Sequence, residues 1–400
     1  MQKALELTIT HRLDGMLARA GIISTPHGQI ETPAFIPVGT KATLKALTPE
    51  QLKGTGAQAV LANAYHLFLR PGHDIIDEAG GIHTFMNWSG PTFTDSGGFQ
   101  VMSLGAGFKK VIDMSGDGPE NVTKKKEKLA WIDDDGVRFK SHLDGSLHKF
   151  TPELSMQIQH GIGADITFAF DELTTLHHDY NYQVESLEKR THPWAVRSLA
   201  EHQRLNAERS HRPPQALFGV IQGANYEDLR RRSAKFLGAM DFDGYGLGGA
   251  LEKDKIGEIV GWMCEELPED KPRHMLGISE PDDIFACIEN GADTFDCVSP
   301  ARVGRNGALY TRHGRVNIRR REFMRDFRAF DEACDCYTCQ HYTRAYLHHL
   351  FRSDELLSNT LATIHNERFI VRLVDDIRES IKTGTFHDFK QQFLTDYYKK

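Results

Sequence analysis

The chain contains no run of about 18 consecutive apolar residues, and its amino terminus, MQKALELTITHRLDG, lacks the apolar core of a secretory leader. The expectation is a soluble, cytoplasmic protein with no membrane partner. Cysteine is scarce: six residues in 400 cannot staple a chain of this length as a disulfide framework. Cys264, Cys287 and Cys297 stand singly in apolar segments, as buried thiols do, whereas Cys334, Cys336 and Cys339 cluster. Positive charge is in deficit, and a net charge of -7 argues against an overall electrostatic grip on nucleic acid. No Gly-x-Gly-x-x-Gly turn follows an early strand, which removes the main signal for a doubly wound dinucleotide-binding sheet.

What is present can bury a large core, since 40% of 400 residues are hydrophobic. That content suits one α/β barrel or two to three smaller domains. From Leu5 to Val38 apolar and polar residues alternate around Pro26-His27-Gly28, which predicts a hairpin or two covering one end of the core. A unit then recurs. Thr48-Pro49-Glu50-Gln51 carries a capping box and a proline at the first helical position, and Gly54 to Ala57 leads into a strand AVLANAY. Thr151-Pro152-Glu153 opens a second helix before ITFAFD, Tyr226 to Phe236 a third before GYGLGG, and Pro281 to Glu289 a fourth before TFDCV. Helix, Gly/Ala turn and apolar strand in repetition predict a (β/α)8 barrel.

In such a barrel, polar residues at the carboxyl ends of strands face the active-site mouth. They are Asp95 after PTFT, Asp171 after ITFAF, Gln222 after LFGVI, Gly248 and Gly249 after GYGL, and Asp296 after TF. Asp296 sits in GADTFDCVSPARVGRNG, a short strand running into a loop with Arg302 and Arg305. A carboxylate among apolar residues is either neutralised by a partner or kept for chemistry. Capping of the next loop explains this stretch, taken alone, equally well. Arg302 to Arg328 holds nine arginines against Glu322 and Asp326, so a local basic stripe on an acidic protein suggests an anionic partner; a solvated face would carry the same charges.

Cys334-x-Cys336-x-x-Cys339 followed by His365 supplies three thiolates and an imidazole, a closed tetrahedral set for a structural zinc ion. His341, His348 and His349 are competing ligands; Tyr342, Tyr346 and His349 fall on one helical face, for core packing or a subunit contact. Ile370, Leu373, Val374, Ile377 and Ile381 mark a last amphipathic helix ending at Gly384. The expected division is a barrel with its hairpin cover over 1–325, a zinc-binding insertion over 326–366, and the last barrel helix with the tail over 367–400. The polar stretch 106–135 reads as a mobile loop.

The motifs TDSGGFQVMSL, FAFDE, VIQGANYEDLR, GYGLGG, FDCVSPARVGRNG and CDCYTCQHYTRAYLHHL, with a later TIHN, resemble those of the tRNA-guanine transglycosylase family, in the same order along the chain. The resemblance implies a zinc-containing barrel that exchanges guanine at the anticodon wobble position of tRNA for a free 7-deazaguanine base, and a bacterial-type homodimer. It implies Asp296 as the nucleophile of a double displacement and Asp95 as the general acid/base. Ser96, Asp171, Gln222, Gly248 and Gly249 would bind the base, Phe99 and Leu276 would sandwich it, and Arg302 and Arg305 would contact RNA. Retention at C1′ is the logic of retaining glycosidases.

The chain departs from the family pattern in reading GGALEKD from Gly248 to Asp254, in Leu173 where a cysteine is common, and in the length of the 105–136 stretch. Glu252 and Asp254 beside the 7-substituent would favour a cationic aminomethyl group, the prequeuosine base, with queuine close behind. Other readings are a relative acting on DNA or another RNA position, a barrel glycosidase acting on sugars, and a non-catalytic accessory subunit. The presence of both Asp95 and Asp296 counts against the last.

Overall fold

The structure, a computed structural model, describes residues 3–106, 130–209 and 211–399. Most of the polar stretch 106–135 therefore lies outside the described residues. Eight parallel strands form one sheet: β1 (Ala34–Pro37), β2 (Val60–Ala62), β3 (Thr92–Thr94), β4 (Ile166–Phe168), β5 (Ala216–Ile221), β6 (Gly244–Leu247), β7 (Arg273–Met275) and β8 (Thr294–Cys297). Their order is β1-β8-β7-β6-β5-β4-β3-β2, so from β2 to β8 every neighbour in the chain is a neighbour in the sheet. Val38, just past β1, bridges Leu61 of β2 in parallel and joins the two ends of that order. The (β/α)8 barrel expected from the repeats is the observed fold class.

The chain packs as two compact units, one of residues 1–5, 63–85 and 93–273, the other of residues 6–62, 86–92 and 274–400. In the first, Phe168 and Phe218 meet edge-on with centroids 5.5 Å apart at 72°, and Tyr245 is fully buried. Each such aromatic contributes about 1.5–3 kcal/mol by leaving water. A three-stranded antiparallel sheet, Ala130–Asp133, Gly136–Lys140 and Leu147–Phe150, follows the helix Gly98–Ala106. It was not expected, and it ends the presumed loop at Ala130. The second unit begins with the antiparallel strands Glu6–Arg12, Arg19–Thr25 and Gly28–Thr32, the hairpins read from the alternation.

Local signals set the helix starts. Thr48 Oγ1 accepts from Gln51 N while Gln51 Oε1 accepts from Thr48 N, closing the capping box of Pro49–Lys53. Thr151 caps Pro152–Ile162, which ends on the left-handed Gly163. Strand lengths are shorter than expected. AVLANAY forms a strand only over Val60–Ala62, because Ala64–Leu69 is helical and Asn63 turns its side chain to Asp95. ITFAFD is a strand only to Phe168. The helix expected to end at Gly384 runs over Leu357–Lys382 and includes His365; a further helix, Phe386–Tyr398, follows Gly384. No helix among the described residues is long and apolar enough to cross a membrane.

Candidate active site

Asp95 follows β3 directly and collects backbone and amide donors from three directions. Ala64 N (2.8 Å) and Gly97 N (3.3 Å) donate to Oδ1, and Gln100 Nε2 (3.0 Å) and Asn63 Nδ2 to Oδ2. Four N–H donors hold an acceptor carboxylate in one orientation. Ser96 is buried and its hydroxyl accepts from Gly98 N at 3.3 Å, so it shapes the turn that starts the Gly98–Ala106 helix. Phe99, on the first turn of that helix, remains exposed.

Asp171 and Gln222, at the ends of β4 and β5, meet: Gln222 Nε2 donates to Asp171 Oδ2 at 2.7 Å. Asp171 keeps a small exposed edge, but protein packed around its carboxyl pushes it up to about 6, and the neighbouring Glu172 and Asp95 charges add to the shift while Gln222 opposes it. Gln222 Oε1 is buried without a hydrogen-bond partner among the described residues, an acceptor with bonding capacity left over. Gly248 and Gly249 lie just past β6. A Cβ on Gly249, whose φ is +100°, would stand 2.7 Å from Gln222 Oε1 and 2.8 Å from Arg230 Nη2, so only backbone fits there. Arg230 is fully buried and faces carbonyls rather than carboxylates: Ala224 O at 2.7 Å, Ile221 O at 3.1 Å and Gly248 O at 2.7 Å. Burial pushes its guanidinium down to about 9. It orients the strand ends that carry Gln222 and Gly248, a role that an arginine inside a helical repeat does not announce.

In the second unit, Asp296 is the third residue of β8, paired in register with Ile36 of β1. Its Oδ1 lies 3.1 Å from His274 Nε2 and accepts from Gly277 N at 3.1 Å. His274 is fully buried in the middle of β7, and its Nδ1 is 2.8 Å from Thr294 Oγ1. The imidazole was missed in the sequence; its one visible trace is a histidine in the three-residue strand immediately before Leu276. Leu276 itself is half-buried at the end of β7.

Arg302 and Arg305 sit on the helix Ser299–Arg305 that leaves β8. Arg302 is exposed, and burial lowers the Arg305 guanidinium while Glu367 raises it. Burial pushes Glu367 up to about 8, while the Ala301 backbone N–H and the Arg305 charge oppose that shift. Further along the basic stripe, Arg315 pairs with Glu280 and Arg328 with Asp326.

Cys334, Cys336, Cys339 and His365 converge, with all ligand atoms within 4.8 Å of one another. The sulfurs lie 3.6, 3.6 and 3.3 Å from His365 Nδ1. A tetrahedral site with bonds of about 2.1–2.3 Å has edges of about 3.6 Å, so these residues fit a metal ion. His365 Nε2 faces Tyr310 O at 2.7 Å; a carbonyl only accepts, so the proton is on Nε2 and the Nδ1 lone pair points at the sulfurs. The competing histidines stay outside: His348 bonds Ile318 O, His349 stands by Ser353, and His341 packs on Tyr337. Next to His365, the buried Asn366 donates to Pro300 O and Ala308 O and accepts from Tyr310 N, each at 3.0 Å. The Cys3His cluster and the arginine helix thus hang from adjacent residues of one helix, His365 and Asn366. Gly304 permits the approach, since a Cβ there would meet Asn366 Nδ2 at 3.0 Å.

A nearly closed parallel barrel with carboxylates and amides at its strand ends, plus a Cys3His cluster that could hold a metal ion, defines a barrel enzyme. The family model for queuine tRNA-ribosyltransferase matches residues 14–399. A queuine tRNA-ribosyltransferase of Desulforamulus reducens is 46% identical over 380 residues, covering 94% of each chain. One of Staphylococcus epidermidis is 45% identical over 383 residues (95% of this chain, 93% of the relative), and one of Pelotomaculum thermopropionicum 42% over 397 (98% and 99%). The chain belongs to the queuine tRNA-ribosyltransferase family and is a transferase of the tRNA-modifying kind.

Proposed function

We propose that this protein exchanges guanine at the anticodon wobble position of tRNA for a free 7-deazaguanine base, with Asp296 as nucleophile and an aspartyl–RNA ester as intermediate. The observation that carries the reading is the Asp296 carboxylate, oriented by an imidazole and a backbone amide at a strand end, in a chain that matches the family almost throughout. Asp296 displaces guanine from C1′, and the incoming base displaces Asp296 in turn, so the configuration is retained. Asp95 serves as the general acid/base: it delivers a proton to the departing guanine and removes one from the incoming base. Its four donors suit the second of these tasks best, because they favour the form that accepts.

Asp171 and Gln222 read the base edge, the carboxylate accepting from N1–H and the 2-amino group, and the Gly248–Gly249 backbone binds the base beside them. Ser96 frames the pocket, with Phe99 and Leu276 stacking on the base, and Arg302 and Arg305 take the RNA next to it. Zinc is the ion for the Cys3His cluster, one per chain, held by Cys334, Cys336, Cys339 and His365; its closed ligand set gives it a structural part. The protein works in the cytoplasm as a homodimer. Tyr342 and Tyr346, stacked at 5.5 Å and 14° with Tyr346 exposed, support a subunit contact over core packing.

For the incoming base, we favour 7-aminomethyl-7-deazaguanine, which Asp254 and Glu252 would attract. One observation favours queuine as a second reading: Glu252 is already paired with Lys255 at 3.0 Å, which removes part of that negative charge. Competition of both bases against labelled guanine decides between them. The function as a whole is tested by exchange of radiolabelled guanine into wobble-guanosine tRNA. Asp296→Ala should abolish exchange and the covalent adduct on denaturing gels while tRNA binding persists; an adduct surviving in that variant overturns the assignment.

A further inference from the structure

We propose that His274 is a positioning residue that leaves Oδ2 of Asp296 as the attacking oxygen and speeds breakdown of the aspartyl ester by hydrogen-bonding Oδ1. The inference rests on the reading of Asp296 as nucleophile and adds a step-specific role to a residue outside the assigned set.

The geometry is built by strand register. His274 of β7 lies opposite Thr294 of β8, and Met275 opposite Phe295, so the imidazole runs alongside β8 and spans from Thr294 to Asp296. It has no exposed surface, whereas the Asp296 side chain keeps 14%. A carboxylate oxygen can only accept, so Nε2 carries the proton and donates to Oδ1; in a neutral ring Nδ1 then accepts from the Thr294 hydroxyl. Gly277 N donates to the same oxygen. Both donors fall on Oδ1, and no hydrogen bond among the described residues reaches Oδ2.

The consequence differs between the two halves of the exchange. In the first, a lone pair of Oδ2 forms the bond to C1′; the C1′–N9 bond breaks and its electron pair leaves with guanine, which takes up a proton. Oδ2 becomes the ester oxygen and Oδ1 the ester carbonyl. In the second half, N9 of the incoming base, giving up its proton, attacks C1′; the C1′–Oδ2 bond breaks and its pair returns to the carboxylate. Negative charge reappears on Oδ1, where His274 and Gly277 already point. Donors bind an anion more strongly than a neutral carbonyl, so they assist ester breakdown and slightly restrain ester formation.

The test measures the two rates separately on the full-length protein with wobble-guanosine tRNA: adduct formation, then adduct decay on adding free guanine. His274→Phe should slow decay by about tenfold or more, the scale of one lost bond to a charged group, without an equal loss in formation, so that adduct accumulates. His274→Gln, which keeps a donor, should recover part of the decay rate. Thr294→Val, which removes the partner of Nδ1 and leaves the ring in place, should shift the ratio in the same direction by less and serves if His274→Phe does not fold. Equal slowing of both steps in His274→Phe, or an unchanged ratio in Thr294→Val, overturns the role of His274. Base exchange by the parent protein without any adduct overturns the nucleophile reading and this inference together.

Discussion

Asn366 offers the sharpest test of how the fold supports the site. Its side chain makes three buried bonds of 3.0 Å to groups at Pro300, Ala308 and Tyr310. Asn366→Ala leaves two carbonyls and one N–H without partners, at about 1–3 kcal/mol each, or about 3–9 kcal/mol together. A water entering the vacated space can serve two of the three groups, which leaves one group unpaired and, with up to about 2 kcal/mol to immobilise the water, brings the expected cost to about 1–5 kcal/mol. With an unfolding entropy of about 2.1 cal/mol/K per residue, a 400-residue chain loses about 1–6 °C in Tm for that cost. Because Pro300 opens the arginine helix, KM for tRNA should rise more than kcat falls. Asn366→Asp keeps an acceptor for Tyr310 N but turns an oxygen toward two carbonyl oxygens, so at neutral pH it should be at least as destabilising. Differential scanning fluorimetry, metal content and steady-state exchange kinetics read these outcomes. An Asn366→Ala protein melting within about 1 °C of the parent, with an unchanged KM, would show that the three bonds do not secure this helix.

Two further outcomes follow from the same geometry. Cys336→Ser should release the metal, as measured by elemental analysis, and lower Tm, while added metal produces no rate term in the parent; full metal content in the variant refutes the ligand set. On the proposed role in reading the base, Asp171, pushed up to about 6 by burial, would have to be ionised to accept two N–H groups, so KM for free guanine should climb about tenfold per pH unit below about 6, and Asp171→Asn should flatten that slope. The sign for stability is the reverse: the folded carboxyl holds its proton more tightly than the unfolded one, so this group's contribution is fullest below about pH 4 and is lost as pH rises through about 6. A pH-independent KM would refute the shift.

Much of this protein is legible in short stretches of sequence. The capping residues Thr48 and Thr151, the left-handed Gly163 and the repeated helix-turn-strand unit act within a few residues of themselves, so the barrel follows from local chemistry. Cys334, Cys336 and Cys339 are close enough in the chain to share one ion whatever surrounds them. Polar residues that end apolar strands, such as Asp95, Gln222 and Asp296, are placed by the strand that precedes them. Element lengths were less legible: AVLANAY is apolar enough for a longer strand, but Asn63 is engaged by Asp95, 32 residues on, and the chain turns into a helix there.

The tertiary structure alone decided which partners those residues have. His274 reaches Asp296 across 22 residues because β7 and β8 align His274 with Thr294, and a shift of one residue would turn the imidazole to the other face. Asn366 finds groups 56, 58 and 66 residues away, and Arg230 serves carbonyls on two strands rather than any acid its sequence neighbours supply. The raised pKa of Asp171 is likewise a product of burial, which no local pattern specifies. The sequence determined the elements and the chemical groups at their ends; strand register and burial, which depend on contacts between distant segments, determined how those groups are oriented and charged.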